Sequence, residues 1–143
     1  MPKYFGVNVL GLLLATIVFY LLGALWYGGL FAEQWMSLSH LTEETANANM
    51  EKLGVMMWVL GVIITLMQVI GLAMVINWAN ASKLLTCVKI SLFMALFFAL
   101  PVIAYGTLYE GASIYLLGID ILHLLVGYSL VGAILSYFRS KAS

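Results

Sequence analysis

Four long apolar runs, at 6–30, 53–79, 85–109 and 112–138, leave this chain one main solvent, the hydrocarbon of a bilayer. A spanning helix needs roughly 20 predominantly apolar residues to cross about 30 Å of hydrocarbon, and each run meets that length. Hydrophobic residues make up 64% of the chain and charged residues 8%, far from the roughly 45–50% and about 25% of soluble domains. The runs consume most of the 143 residues. The expected fold is therefore an all-α membrane protein, a single domain forming a bundle of four transmembrane helices, with 31–52 as its one sizeable outer loop.

Orientation follows from the basic residues, because lysine and arginine near span ends stay on the cytoplasmic side. If four helices alternate, Lys3, Lys83, Lys89, Arg139 and Lys141 share one side, and only Lys52 lies opposite. Both termini are expected in the cytoplasm, in the cell (inner) membrane. Aromatic residues mark two water interfaces in this layout, with Trp26, Tyr27, Trp35, Trp58, Tyr109 and Tyr115 outside and Tyr4, Trp78, Tyr137 and Phe138 inside. A net charge of zero with dispersed basic residues gives no reason to expect nucleic acid as a partner. The lone Cys87 excludes an internal disulfide. The first run is too long for a secretory leader and lacks a small-residue cleavage site, so it reads as an uncleaved anchor.

In the first loop, Thr42 followed by Glu43 and Glu44 reads as a helix start, a cap with two acids in the first turn. The predicted short interfacial helix runs on into the second span. Before it, the segment from Trp26 to Trp35 mixes aromatic residues, the adjacent Gly28 and Gly29, and Glu33. It suits a chain that breaks at the glycines and bends along the membrane surface, either as an aromatic anchor or as the cover of a pocket mouth. Glu33, Trp26, Tyr27 and Trp35 form the candidate outer interface.

Charged groups within the hydrocarbon cost about 2.5–3.5 kcal/mol each on insertion scales, which singles out Asp120 and His123. Projected at 100° per residue, Ser113, Asp120, His123 and Gly127 fall within an arc of roughly 80°. Gly111, Gly118, Ser129, Gly132 and Ser136 gather on the opposite face, where small residues permit close helix approach. The fourth span is thus expected to touch neighbours on both sides. Gly54, Gly61, Thr65 and Gln68 align on the second span, Gln68 within reach of the Asp120 region. Pro101 is expected to free the carbonyl of Phe97 and kink the third span. The candidate intramembrane polar site is Asp120, His123, Gln68, Ser113 and Thr65, and the candidate packing positions are Gly118, Gly132, Ser136 and Gly61.

Three uses of Asp120 and His123 remain open: a hydrogen-bonded pair sharing one proton that pins the fourth span to the second, a group for proton or solute movement, or metal binding. One aspartate and one histidine make only half a metal site, and His40 lies in the outer loop. No metal, no cofactor and no catalytic residue is expected, since no phosphate cradle, zinc-protease helix or nucleophile elbow occurs in the chain. Tyr27-Gly28-Gly29-Leu30 and Tyr105-Gly106-Thr107-Leu108 repeat faintly at the ends of the first and third spans.

Asn8, the stretch Gly23-Ala24-Leu25-Trp26-Tyr27-Gly28-Gly29-Leu30-Phe31 and the following Trp35 resemble the uncharacterised membrane family called domain of unknown function 1761. That family's pattern carries a proline after Trp-Tyr-Gly, where this chain has Gly29. The resemblance implies a four-span layout and brings no activity. The leading reading is a non-enzymatic structural or accessory component that self-associates through the fourth span, with the lipid bilayer and a second copy or another membrane protein as partners. The alternatives are a small transporter or channel-like oligomer using Asp120 and His123, and a membrane enzyme acting on a lipid or quinone near Glu33, Trp35 or His40.

Overall fold

Without water to satisfy them, backbone amides in a bilayer must pair within their own segment, and a helix is the simplest way to do so. The computed structural model describes residues 3–139, so Lys141 and the side chain of Lys3, assigned to the positive side, lie outside what it describes. Four helices, Val9–Leu30, Val55–Trp78, Leu84–Tyr109 and Ile114–Phe138, are each long and apolar enough to cross a membrane. They make the chain a multi-pass membrane protein. Two shorter helices, Ala32–Leu38 and Glu43–Leu53, fill the loop between the first two spans.

Each start has a local cause. The side chain of Asn8 accepts a hydrogen bond from Gly11 N at 2.8 Å and caps the first span. Thr42 and Thr45 form a capping box at the head of Glu43–Leu53, and Ser113 accepts from Tyr115 N at 3.2 Å to begin the fourth span. An element beyond the all-helical expectation precedes the first span: Lys3–Tyr4 pairs antiparallel with Val7–Asn8. Its turn residues Phe5 and Gly6 both have positive φ, as a tight two-residue hairpin turn requires.

Two junctions differ from the sequence reading. Glu43–Leu53 does not run on into the second span, because Gly54 adopts φ 54° and ψ −136°, a conformation that only glycine holds without strain. The tandem Gly28 and Gly29 do not break the first span. They lie in a π-turn, Trp26–Leu30, in which Phe31 N reaches Trp26 O at 2.9 Å. Just ahead of Pro101 the third span carries a second π-turn, Ala95–Ala99, with Leu100 N bonded to Ala95 O.

The fourth span is the hub, packing most extensively against the third and the first, while the second packs chiefly on the first. One contiguous core joins Ala15 and Phe19, Val69 and Ile76, Cys87 and Ala95, and Val131 and Leu135. Small residues set the approach. A Cβ at Gly127 would collide with the Phe19 ring, and one at Gly132 would collide with Ser91 Oγ and lie 2.9 Å from the carbonyl of Cys87. Gly132 therefore packs inside the chain against the third span, so self-association through the fourth span would not use it. A Cβ at Gly118 would meet nothing within 4 Å, and Ser136 turns its hydroxyl back to Ala133 O at 2.7 Å. Arg139 Nη2 donates to Asn77 Oδ1 at 3.3 Å and Arg139 bridges to Val7. These contacts gather the N-terminal hairpin, the end of the second span and the end of the fourth at one end of the bundle.

Candidate functional site

The opposite, loop end of the bundle holds the polar groups. Trp26 and Tyr27, on the π-turn that closes the first span, reach across to consecutive residues of the fourth. Trp26 Nε1 donates to Ile119 O at 3.1 Å, and the Tyr27 hydroxyl donates to Asp120 Oδ1 at 2.7 Å. Trp26 is 9% exposed, so it is an interior residue and not a member of an interface belt. Trp35, from the short helix that follows, packs edge-on against Tyr27 at 5.5 Å.

His123 lies one turn from Asp120, on the same helix face, inside an aromatic enclosure. Phe19 stacks on its ring at 5.4 Å with the planes at 23°. Tyr27 meets it edge-on at 5.1 Å, and Trp26 lies at 5.9 Å. Gly23 faces the ring, and a Cβ there would stand 3.5 Å from Nε2, an ordinary contact. That Nε2 is buried and has no hydrogen-bond partner. The expected hydrogen-bonded pair of Asp120 and His123 is thus replaced: the hydrogen bond to Asp120 comes from Tyr27, and His123 Nε2 is left over. An unpartnered polar atom away from water carries a desolvation cost of about 1–3 kcal/mol.

His123 forms part of the wall of two cavities. One, of about 260 Å³, is lined by Tyr20, Trp58, Gly61, Thr65 and Gln68 among others. The second, of about 350 Å³, is lined by Tyr27, Trp35, Ile103, Asp120 and Leu124 with His123. Thr65 Oγ1 is committed to Gly61 O at 2.9 Å, and Gln68 Oε1 accepts from the Tyr128 hydroxyl at 3.1 Å. Gln68 therefore reaches the His123 side of the site, and its partner is Tyr128 in place of the Asp120 region.

Of the residues expected to matter, Asp120, His123, Gln68, Thr65, Gly61, Tyr27, Trp26 and Trp35 converge, so the intramembrane set and the outer aromatic set become one site. Ser113 stands apart as a helix cap, Glu33 is exposed in the first turn of Ala32–Leu38, and His40 is exposed. Among the described residues, no three His, Cys, Asp or Glu side chains gather as a metal-ligand set. Phe19, Tyr20 and Tyr128 escaped the sequence reading, which places Trp58 only in the outer aromatic belt. A signal existed for Phe19, because it shares a helical face with Gly23 and Trp26.

Fold and site together define a four-span membrane protein with an aromatic-lined polar site at the loop end of its bundle. The chain belongs to the family described as a protein of unknown function, DUF1761, which it matches over residues 10–136. The match includes the Gly23 to Phe31 stretch and Trp35; Asn8, the cap of the first span, falls just before it. No curated protein and no solved structure matches the chain.

Proposed function

We propose that this protein is a non-enzymatic membrane component whose loop-end site holds a small ligand against His123. The observation that carries the reading is the buried, unpartnered Nε2 of His123, a residue that lines two cavities. A ligand supplying one hydrogen-bonding group to Nε2 and a flat apolar body to Phe19, Trp26 and Tyr27 satisfies the orphan atom and the aromatic enclosure together. Asp120 and Tyr27 hold the fourth span at the distance that keeps the enclosure open. Support for an enzyme is weaker, because Asp120 is engaged by Tyr27 and no second acid or base stands beside His123. In the same reading the termini face the cytoplasm, on the strength of Lys83, Lys89 and Arg139, and the two loop helices lie at the outer interface of a cell membrane.

The test uses nitrogen-15 magnetic resonance of the full chain in lipid. With two histidines in the sequence, His40→Gln leaves His123 as the single imidazole signal. Phenol, a ring with one hydroxyl, is expected to shift the Nε2 resonance saturably, and toluene to leave it in place. An Nε2 signal indifferent to both would remove the ligand-binding reading.

One observation favours a second reading: His123 is common to both cavities, so its ring stands between a space facing the second span and a space facing Trp35. Proton or solute movement past that ring predicts that liposomes carrying the protein dissipate an imposed pH gradient faster than empty ones, and that His123→Gln abolishes the difference. Equal rates with and without protein would reject it.

A further inference from the structure

A groove at the terminal end of the bundle lies away from the His123 site and carries a different chemistry. It is an open groove between the second and third spans, of about 670 Å³, lined by Val75, Trp78, Thr86, Lys89, Phe93 and Phe98 among others. The gap exists because the second span packs chiefly on the first and the third on the fourth, leaving their mutual seam thinly filled. Its lining changes character along its length. Trp78 closes the second span, and Thr86 and Lys89 stand in the opening turns of the third. Phe93 and Phe98 follow deeper in, Phe98 about 13 Å beyond Lys89 along the helix at 1.5 Å per residue. A cation and a hydroxyl at the mouth with an apolar floor beneath match an amphiphile lying parallel to the spans.

Charge sharpens the match. Glu33, Glu43, Glu44, Glu51 and Glu110 fall in the two loops of the opposite end, and Asp120 is bound to Tyr27 in that half. The terminal end carries Lys83, Lys89 and Arg139 with no carboxylate side chain among its described residues. Among the described residues Lys89 therefore has no acidic side chain beside it at this depth, and its ammonium is available to a phosphate.

We propose that this groove binds an anionic phospholipid, one acyl chain lying along Val75, Phe93 and Phe98 and the headgroup phosphate meeting Lys89 and Thr86 beside Trp78. A zwitterionic lipid also has a phosphate, but its own cation competes with Lys89, so the site discriminates by net charge. The site is independent of the reading given for His123.

Trp78 reports occupancy directly. The full chain and its Trp78→Phe variant, in nanodiscs doped with brominated phosphatidylglycerol or brominated phosphatidylcholine, give the quenching of Trp78 by difference. The phosphatidylglycerol probe is expected to quench at the lower mole fraction. Lys89→Gln should reduce that preference about fivefold, the effect of one lysine charge near an anionic surface, and Lys89→Arg should retain it. Lys83→Gln, which removes a charge at the same end but outside the groove, should leave it intact. Lys89 is exposed, so these changes spare the core. Equal quenching by the two lipids would overturn the proposal. So would an equal loss in Lys83→Gln, which marks a diffuse surface potential, or reversal of the preference by added inorganic phosphate, which marks a free-anion site.

Discussion

At the scale of single residues, the hydrogen bond from Tyr27 to Asp120 is the contact whose removal is most informative. Tyr27→Phe keeps the ring against His123 and Trp35 and deletes only the donor, leaving a carboxyl group in the bundle without it. The expected cost is about 1–2 kcal/mol, read as a lower midpoint of unfolding in mixed detergent micelles. Asp120→Asn retains an oxygen that accepts from Tyr27 and should cost less than Tyr27→Phe. An equal or greater loss in Asp120→Asn would mean that the carboxyl serves something beyond Tyr27. Close approach makes the second residue-scale prediction. Gly127→Ala forces Phe19 out of its stack on His123, at an expected cost of about 1–3 kcal/mol for overpacking, measured as the same midpoint.

At the scale of elements, two π-turns and one glycine decide where the helices point. The π-turn Trp26–Leu30 brings Trp26 to Ile119 and Tyr27 to Asp120 on one turn of the fourth span. At the other end of the first loop, Gly54 breaks the chain between Glu43–Leu53 and the second span. Gly54→Ala imposes strain of about 1–3 kcal/mol on that corner. Glu43–Leu53 contributes no buried residue, so it, and not the bundle, is expected to yield. Amide hydrogen exchange should accelerate at 50–53 while the core of the second span stays protected. Unchanged exchange at those amides would show that the corner tolerates a side chain.

At the scale of the whole molecule, the fourth span is the hub, and its small residues have unequal duties. Gly132→Leu drives a side chain into Ser91 and the carbonyl of Cys87, so it should abolish the folded chain. Gly118→Leu meets open space and should leave the unfolding midpoint within about 0.5 kcal/mol of its original value. If the chain self-associates, Gly118 is a small residue of that face, within the helix, with open space beside it, and analytical ultracentrifugation of Gly118→Leu reads the loss. The terminal and loop ends make a topology test as well. In a Cys87→Ser background, a cysteine replacing Lys83 and one replacing Glu44 should label from opposite sides of sealed vesicles, and labelling of both from one side would refute the four-span arrangement.

What the sequence by itself determined is the number of spans, their limits to within a few residues and the identity of the groups worth inspecting, because these follow from local quantities. Hydrocarbon thickness sets the length of an apolar run, and the cost of a buried charge singles out Asp120 and His123 wherever the neighbouring helices lie. The cap at Thr42 is local too, as is the positive end carrying Lys83, Lys89 and Arg139. Only the tertiary structure decided which partner each group takes. Asp120 went to Tyr27, Gln68 went to Tyr128, Gly132 received the third span, and His123 Nε2 was left without a bond. Those outcomes depend on how far each helix is rotated about its axis and on the extra residue in each π-turn, and with hydrophobic residues on every side of a span, the pattern of polarity along the chain does not encode that rotation.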